Sequence, residues 1–179
     1  MYAEKLLPSD IQAEESVLGA VMIDESALAE VTAVVRPEDF SREKNVLIFR
    51  ACVDLYQRHE PIDQITLARE LQVAGHLEEL GGMAYLSHLV AITPTSIHAQ
   101  HYAEMVARTA ALRRLVQAAG KIAEIAYEAT QDVALAFRRA EEVLAEAGAG
   151  LVDRDWVSLR ELLDRFLMER AALMEGVDP

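Results

Sequence analysis

Apolar residues recur at spacings of three and four along almost the whole chain, the signature of helices buried on one side. Ser9-Asp10-Ile11-Gln12 reads as a capping box opening a first helix, with Ser9 as the capping hydroxyl. That helix carries Ile11, Ser16, Val17, Leu18, Val21 and Met22 broadly on one side. Asp24 caps a short second helix through Leu28 and Val31, and Arg36-Pro37 ends it, because proline disfavours helix at the preceding residue. Ser41 opens a longer helix whose apolar positions spread widely around Ile48, Cys52 and Leu55, which predicts central burial. Pro61-Ile62-Asp63 is a turn into Ile65–Ala74, and Gly75 is a left-handed stop. Leu77–Leu80 leads to Gly81-Gly82, read as a place of tight backbone packing, and Met83–Ile92 is the next helix. Thr93-Pro94-Thr95 breaks it.

The second half changes character. From Ser96 to about Thr130 the chain is helical without proline, and Leu112, Leu115, Val116, Ala119, Ile122, Ala123 and Ala126 recur at three and four. Asp132 caps a return helix bearing Leu135, Ala136, Ala140, Val143, Leu144 and Ala147. Two such stripes joined by a few residues predict an antiparallel α-hairpin, whose apolar surface calls for a second copy. Gly148-Ala149-Gly150 closes the hairpin. A capping box at Ser158-Leu159-Arg160-Glu161 then starts a last helix with Leu159, Leu162, Leu163, Phe166, Leu167 and Leu173. That helix either folds back on the hairpin or docks on something outside this chain. The expectation is an all-α protein: a compact helical head (1–95), a long antiparallel helical hairpin (96–150) and a separate linker helix (151–179).

Composition narrows the function. The net charge is −13 over 179 residues, and the main basic cluster is Arg113-Arg114. A chain that grips nucleic acid needs a positive footprint to displace counterions from phosphates, so protein partners are favoured over DNA. The single cysteine, Cys52, excludes an intrachain disulfide and reads as a small buried hydrophobe. Glu4 and Lys5 interrupt Met1–Leu7, so no signal-like apolar region opens the chain. No run approaches the ~20 apolar residues that cross a bilayer, which predicts a cytoplasmic protein.

Catalytic chemistry is hard to place. His98, His101 and Glu104 could share a helix face as a metal site, although solvated or capping histidines explain them better. The adjacent carboxylates Glu14-Glu15, Glu78-Glu79 and Glu141-Glu142 read as solvated faces. Neither a Gly-x-x-x-x-Gly-Lys-Ser/Thr loop nor a Gly-x-Gly-x-x-Gly turn occurs in the sequence.

Several strings occur in a telling order: Pro8 through Gly19 (PSDIQAEESVLG), Pro37-Glu38-Asp39-Phe40, Ile48-Phe49, Pro61-Ile62-Asp63, Leu77-Glu78-Glu79-Leu80-Gly81-Gly82, Tyr85-Leu86, Tyr102-Ala103 and Leu112-Arg113-Arg114-Leu115. Together, over about 110 residues, the set resembles the N-terminal region of the bacterial replicative DNA helicase (DnaB) family. Gln12 stands where that family often has glutamate, and Ser41 follows Phe40 where an aromatic is common. The resemblance implies a collar of paired hairpins above a hexameric ring, with a linker helix (Leu159, Leu162, Leu163, Phe166) packing on a neighbouring subunit's ATPase domain. That motor, with its ATP and Mg2+, is expected to begin shortly after Pro179. It further implies a primase and a helicase loader as partners. Leu112, Leu115, Ala119, Leu135, Val143 and Leu144 become oligomerisation candidates, and Tyr85, Val116 and Ile122 primase-contact candidates. The last three are equally readable as core or dimer residues. A free-standing helical nucleic-acid-binding regulator is the competing reading.

Overall fold

The computed structural model describes residues 7–128 and 132–149. The chain divides into two units, Met1–Ala147 and Gly148–Pro179. The expected linker helix, with Leu159, Leu162, Leu163 and Phe166, lies outside the described residues.

Seven α-helices and one 3-10 turn make up the described residues, and no strand occurs among them. Helix α1 (Ile11–Ile23) is the hub. Its cap is Asp10 rather than Ser9, the Asp10 carboxylate accepting from the Ala13 amide at 3.0 Å. The short α2 (Ala27–Thr32) and the 3-10 turn Pro37–Asp39 lead to α3 (Glu43–Gln57). Helices α4 (Gln64–Val73) and α5 (Gly82–Ile92) complete the head.

The expectation of a one-sided α1 and a central α3 is reversed. Every residue of α1 from Ala13 to Met22 except the half-buried Glu15 is buried, with α2, α3, α5 and α6 packed around it. By contrast, α3 buries one face, through Ile48, Phe49, Ala51, Cys52 and Leu55, and leaves Tyr56 exposed. The reason is in the residue sizes. Ala13, Ser16, Gly19 and Ala20 let neighbours approach α1 from several directions. At Gly19 a Cβ would stand 2.1 Å from Thr93 Oγ1 and 2.3 Å from the Leu89 carbonyl, so only glycine allows α1 and α5 to cross there. Each fully buried Leu or Phe around this hub contributes ~1.5–3 kcal/mol. Phe40 and Phe49, with ring centroids 4.8 Å apart, fill the gap between the 3-10 turn and α3.

Local signals set most helix ends. Asp63 starts α4 by accepting from the Ile65 and Thr66 amides at 2.8 and 2.9 Å, while Thr66 Oγ1 accepts from the Asp63 amide. This reciprocal box holds the Asp63 carboxyl below its usual range, chiefly through the Thr66 amide. Gly81 and Gly82, expected to mark close packing, do something else. Both adopt positive φ, 102° and 63°, and no atom lies within 4 Å of a Cβ at Gly82. They turn the backbone into α5 through a left-handed region that other residues enter at a cost.

Helix α6 (Ala99–Glu128) is 30 residues long, ~45 Å at 1.5 Å per residue. Its first half packs on the head through Ala99, Ala103, Val106 and Ala110. Its second half continues beyond, and α7 (Val133–Gly148) follows. As expected, Asp132 caps α7, accepting from the Leu135 amide at 2.9 Å. No helix among the described residues is long and apolar enough to cross a membrane.

Candidate docking and assembly surface

The hairpin leaves the head at Arg113-Arg114, and neither residue is the free basic cluster its sequence suggests. Arg113 is buried and donates to two main-chain carbonyls, Pro8 at 2.9 Å and Asp39. Burial pushes its pKa below the ordinary arginine value, against the opposing pull of Glu14 and Asp39. Arg114 donates to Asp39 Oδ1, whose partner oxygen Oδ2 accepts from the Arg36 amide at 2.9 Å. Both cations are therefore committed within the fold.

Past this point α6 presents two faces. Ala118 is buried and Ile122 and Ile125 are half-buried on one of them. The α7 residues Ala136, Ala140, Val143 and Ala147 are also half-buried. A shallow pocket lined by Arg114, Gln117, Ala118, Lys121, Val143, Glu146 and Ala147 marks where the two helices meet. The other face of α6 carries Leu112 (47% exposed), Leu115 (50%) and Val116 (48%), with the exposed Ala119 in the same row. On α7 no residue is fully buried, and Val133, Phe137 and Leu144 stand in solvent at more than half exposure.

The candidates suggested by sequence thus separate by position. Leu112, Leu115, Val116 and Ala119 form one continuous apolar row. Ile122 and Val143 lie in the seam between the helices. Leu135 and Leu144 are both exposed, but nine positions apart they sit on opposite sides of α7. Tyr85 belongs to none of these surfaces. Its hydroxyl lies 2.9 Å from Asn45 Oδ1 and 3.1 Å from Glu15 Oε1, and Lys44 Nζ covers the ring at 3.4 Å from its centroid. Burial, and after it the Glu15 carboxylate, raise the Tyr85 phenol well above its ordinary pKa.

Tyr85 is one edge of a polar network that the sequence did not announce. Glu14 and Glu15, expected on a solvated face, point inward. Glu14 is fully buried and accepts from the Ser41 amide at 2.6 Å, the Arg42 amide at 3.4 Å and Asn45 Nδ2 at 2.8 Å. It anchors the residues just before α3 from a distant part of the chain, and Ser41, expected to open that helix, precedes it and contributes its amide to this contact. Glu15 pairs with Arg42 at 3.1 Å. A signal was present: Val17, Leu18 and Val21 follow Glu14 at three, four and seven, placing it on an apolar face.

The remaining chemistry does not assemble. His98 and His101 are exposed and flank the Tyr102 ring at 6.5 and 6.3 Å. They do not converge with Glu104 on a metal position, and no group of three His, Cys, Asp or Glu does so among the described residues. Cys52 is buried as expected, which pushes its thiol up to about 12. A shallow pocket on the head, between Leu47, Arg50, Asp54 and His76, mixes charges of both signs and offers no nucleophile with a base beside it.

The described residues thus form an all-α helical head extended by a long helical hairpin with an open apolar row. Residues 6–108 match the family described as "DnaB-like helicase N terminal domain". The chain belongs to this family. It is 36% identical over 146 residues to the replicative DNA helicase DnaB of Geobacillus stearothermophilus, covering 82% of this chain and 32% of that one. It therefore spans about a third of the length of such relatives. The crystal structure of the N-terminal domain of DnaB helicase from Mycobacterium tuberculosis is 38% identical, with a TM-score of 0.76, covering 79% of this chain and 99% of that one. A DnaB-like replicative helicase whose structure was described together with its interactions with primase shares the fold. It has a TM-score of 0.60 at 21% identity, covering 94% of this chain and 36% of that one.

Proposed function

We propose that this chain is the collar domain of a hexameric, ATP-driven replicative DNA helicase of the cytoplasm, assembling subunits and docking primase and a helicase loader. Hairpins pair between subunits through the row Leu112, Leu115 and Ala119, with Leu144 at its margin and Val143 supporting it from the seam. ATP and Mg2+ act in a motor domain, and DNA is contacted weakly or not at all here. The observation that carries the reading is the row itself. Leu112, Leu115 and Val116, each about half exposed in one chain, share one face of α6 with the exposed Ala119, in a chain that belongs to the helicase N-terminal domain family.

Pairing would bury them, and full burial of such a side chain is favourable by ~1.5–3 kcal/mol. Val116 borders the same row and remains the best primase anchor of the three candidates. Tyr85 is tied into the head, and Ile122 lies in the seam. The test is light scattering of the purified chain with and without a primase helicase-binding domain. Dimers or larger species that capture the primase domain support the proposal; a strict monomer that binds none counts against it.

A further inference from the structure

The place where the hairpin leaves the head carries a second role. Arg114 is the residue that faces both ways. Its guanidinium grips Asp39 of the head, and the same side chain lines the α6–α7 pocket beside Val143, Glu146 and Ala147. One position earlier, Arg113 ties α6 to the carbonyls of Pro8 and Asp39. Before these residues α6 is held by Ala99, Ala103, Val106 and Ala110; beyond them only Ala118 is buried.

The arrangement is poorly built for stability alone. Two adjacent cations crowd Asp39, Arg113 at its main-chain carbonyl and Arg114 at its carboxylate, and Arg114 Nε is buried with no acceptor among the described residues. A buried donor left unmade opposes folding. A planar guanidinium fork does, however, fix direction better than an apolar contact does.

We infer that Arg113, Asp39 and Arg114 form a clasp that sets the direction in which the α6–α7 hairpin leaves the head, with Arg114 as its positioning residue. Its consequence for assembly rests on the collar reading, since the Leu112–Leu115 row meets a second copy only at the angle the clasp fixes. The clasp itself acts within one chain.

The experiment places spin labels at Arg69→Cys on α4 and Glu124→Cys on α6, both exposed positions, in a Cys52→Ala background. Dilution with unlabelled chain leaves only distances within one molecule. The parent gives a single narrow distance distribution. Arg114→Gln broadens or shifts it at unchanged helical content, and Asp39→Asn does the same. An unchanged distribution in Arg114→Gln overturns the inference, and it decides the matter if Asp39→Asn does not fold. The molecular mass of the unlabelled parent is read separately. A monomer with a clasp-dependent distance sinks the collar reading alone, and an oligomer with a clasp-independent distance sinks the clasp alone.

Discussion

Glu14 Oε2 accepts a hydrogen bond from Asn45 Nδ2 at 2.8 Å, joining the hub helix to the start of α3 across 31 positions of sequence. The carboxylate has no exposed surface, so its charge is held by the Ser41 and Arg42 amides and by Asn45. Glu14→Ala would strand these donors. Hydrogen bonds to a charged group contribute ~1.5–3 kcal/mol each, and a buried donor left unsatisfied costs ~1–3 kcal/mol. Urea unfolding should therefore show a loss of at least about 3 kcal/mol. A loss below about 0.5 kcal/mol, the usual range of surface substitutions, would mean the network is ornamental.

Two glycines give opposite expectations. Gly19→Ala places a methyl 2.1 Å from Thr93 Oγ1 and 2.3 Å from a backbone carbonyl, forcing α1 and α5 apart. Overpacking of this kind costs ~1–3 kcal/mol. Gly120, inside α6, has open space around it, so Gly120→Ala should stabilise by ~0.5–1 kcal/mol through helix propensity. Thermal melts of both variants check the pair, and a common sign would contradict the packing described.

Alkaline pH probes the core around Cys52. The folded thiol holds its proton up to about 12, against an ordinary value of 9.0. Unfolded chains lose that proton first. Stability is therefore fully present below pH 9 and falls as pH rises from there toward 12. One proton corresponds to a slope of ~1.4 kcal/mol per pH unit. Tyr85, whose phenol is also raised, adds to the fall above its own ordinary value. Cys52→Ala should flatten the dependence of unfolding free energy on pH between about 9 and 11 by one proton's worth. An unaltered slope would place the thiol in water.

What was legible in the sequence follows from the range of the interactions involved. Asp132, Gly75 and the α6 and α7 stripes act within a few residues of themselves, so pattern and capping chemistry located them. Cys52 was also placed correctly, because its neighbours Ile48, Phe49 and Leu55 are apolar. Glu14, Asp39 and Arg113 work through partners 27 to 105 positions away. In an acidic chain, a buried glutamate beside another glutamate looks like a solvated pair. The Arg113-Arg114 string looked like a surface patch for the same reason. Tyr85 stood out in sequence, but its meaning depended on Asn45 and Glu15, which only folding brings near it.

Association through the α6 row is the claim on which the rest turns. Leu112→Asp with Leu115→Asp removes two contacts of ~1.5–3 kcal/mol each, enough to weaken pairing by roughly 100-fold or more. Sedimentation equilibrium of the parent and this double variant, over a wide concentration range and with helical content checked by circular dichroism, measures it directly. The prediction is a concentration-dependent mass of a dimer or larger for the parent and a monomer for the variant at equal helicity. A parent that stays monomeric throughout, or a variant that associates as tightly as the parent, would contradict it.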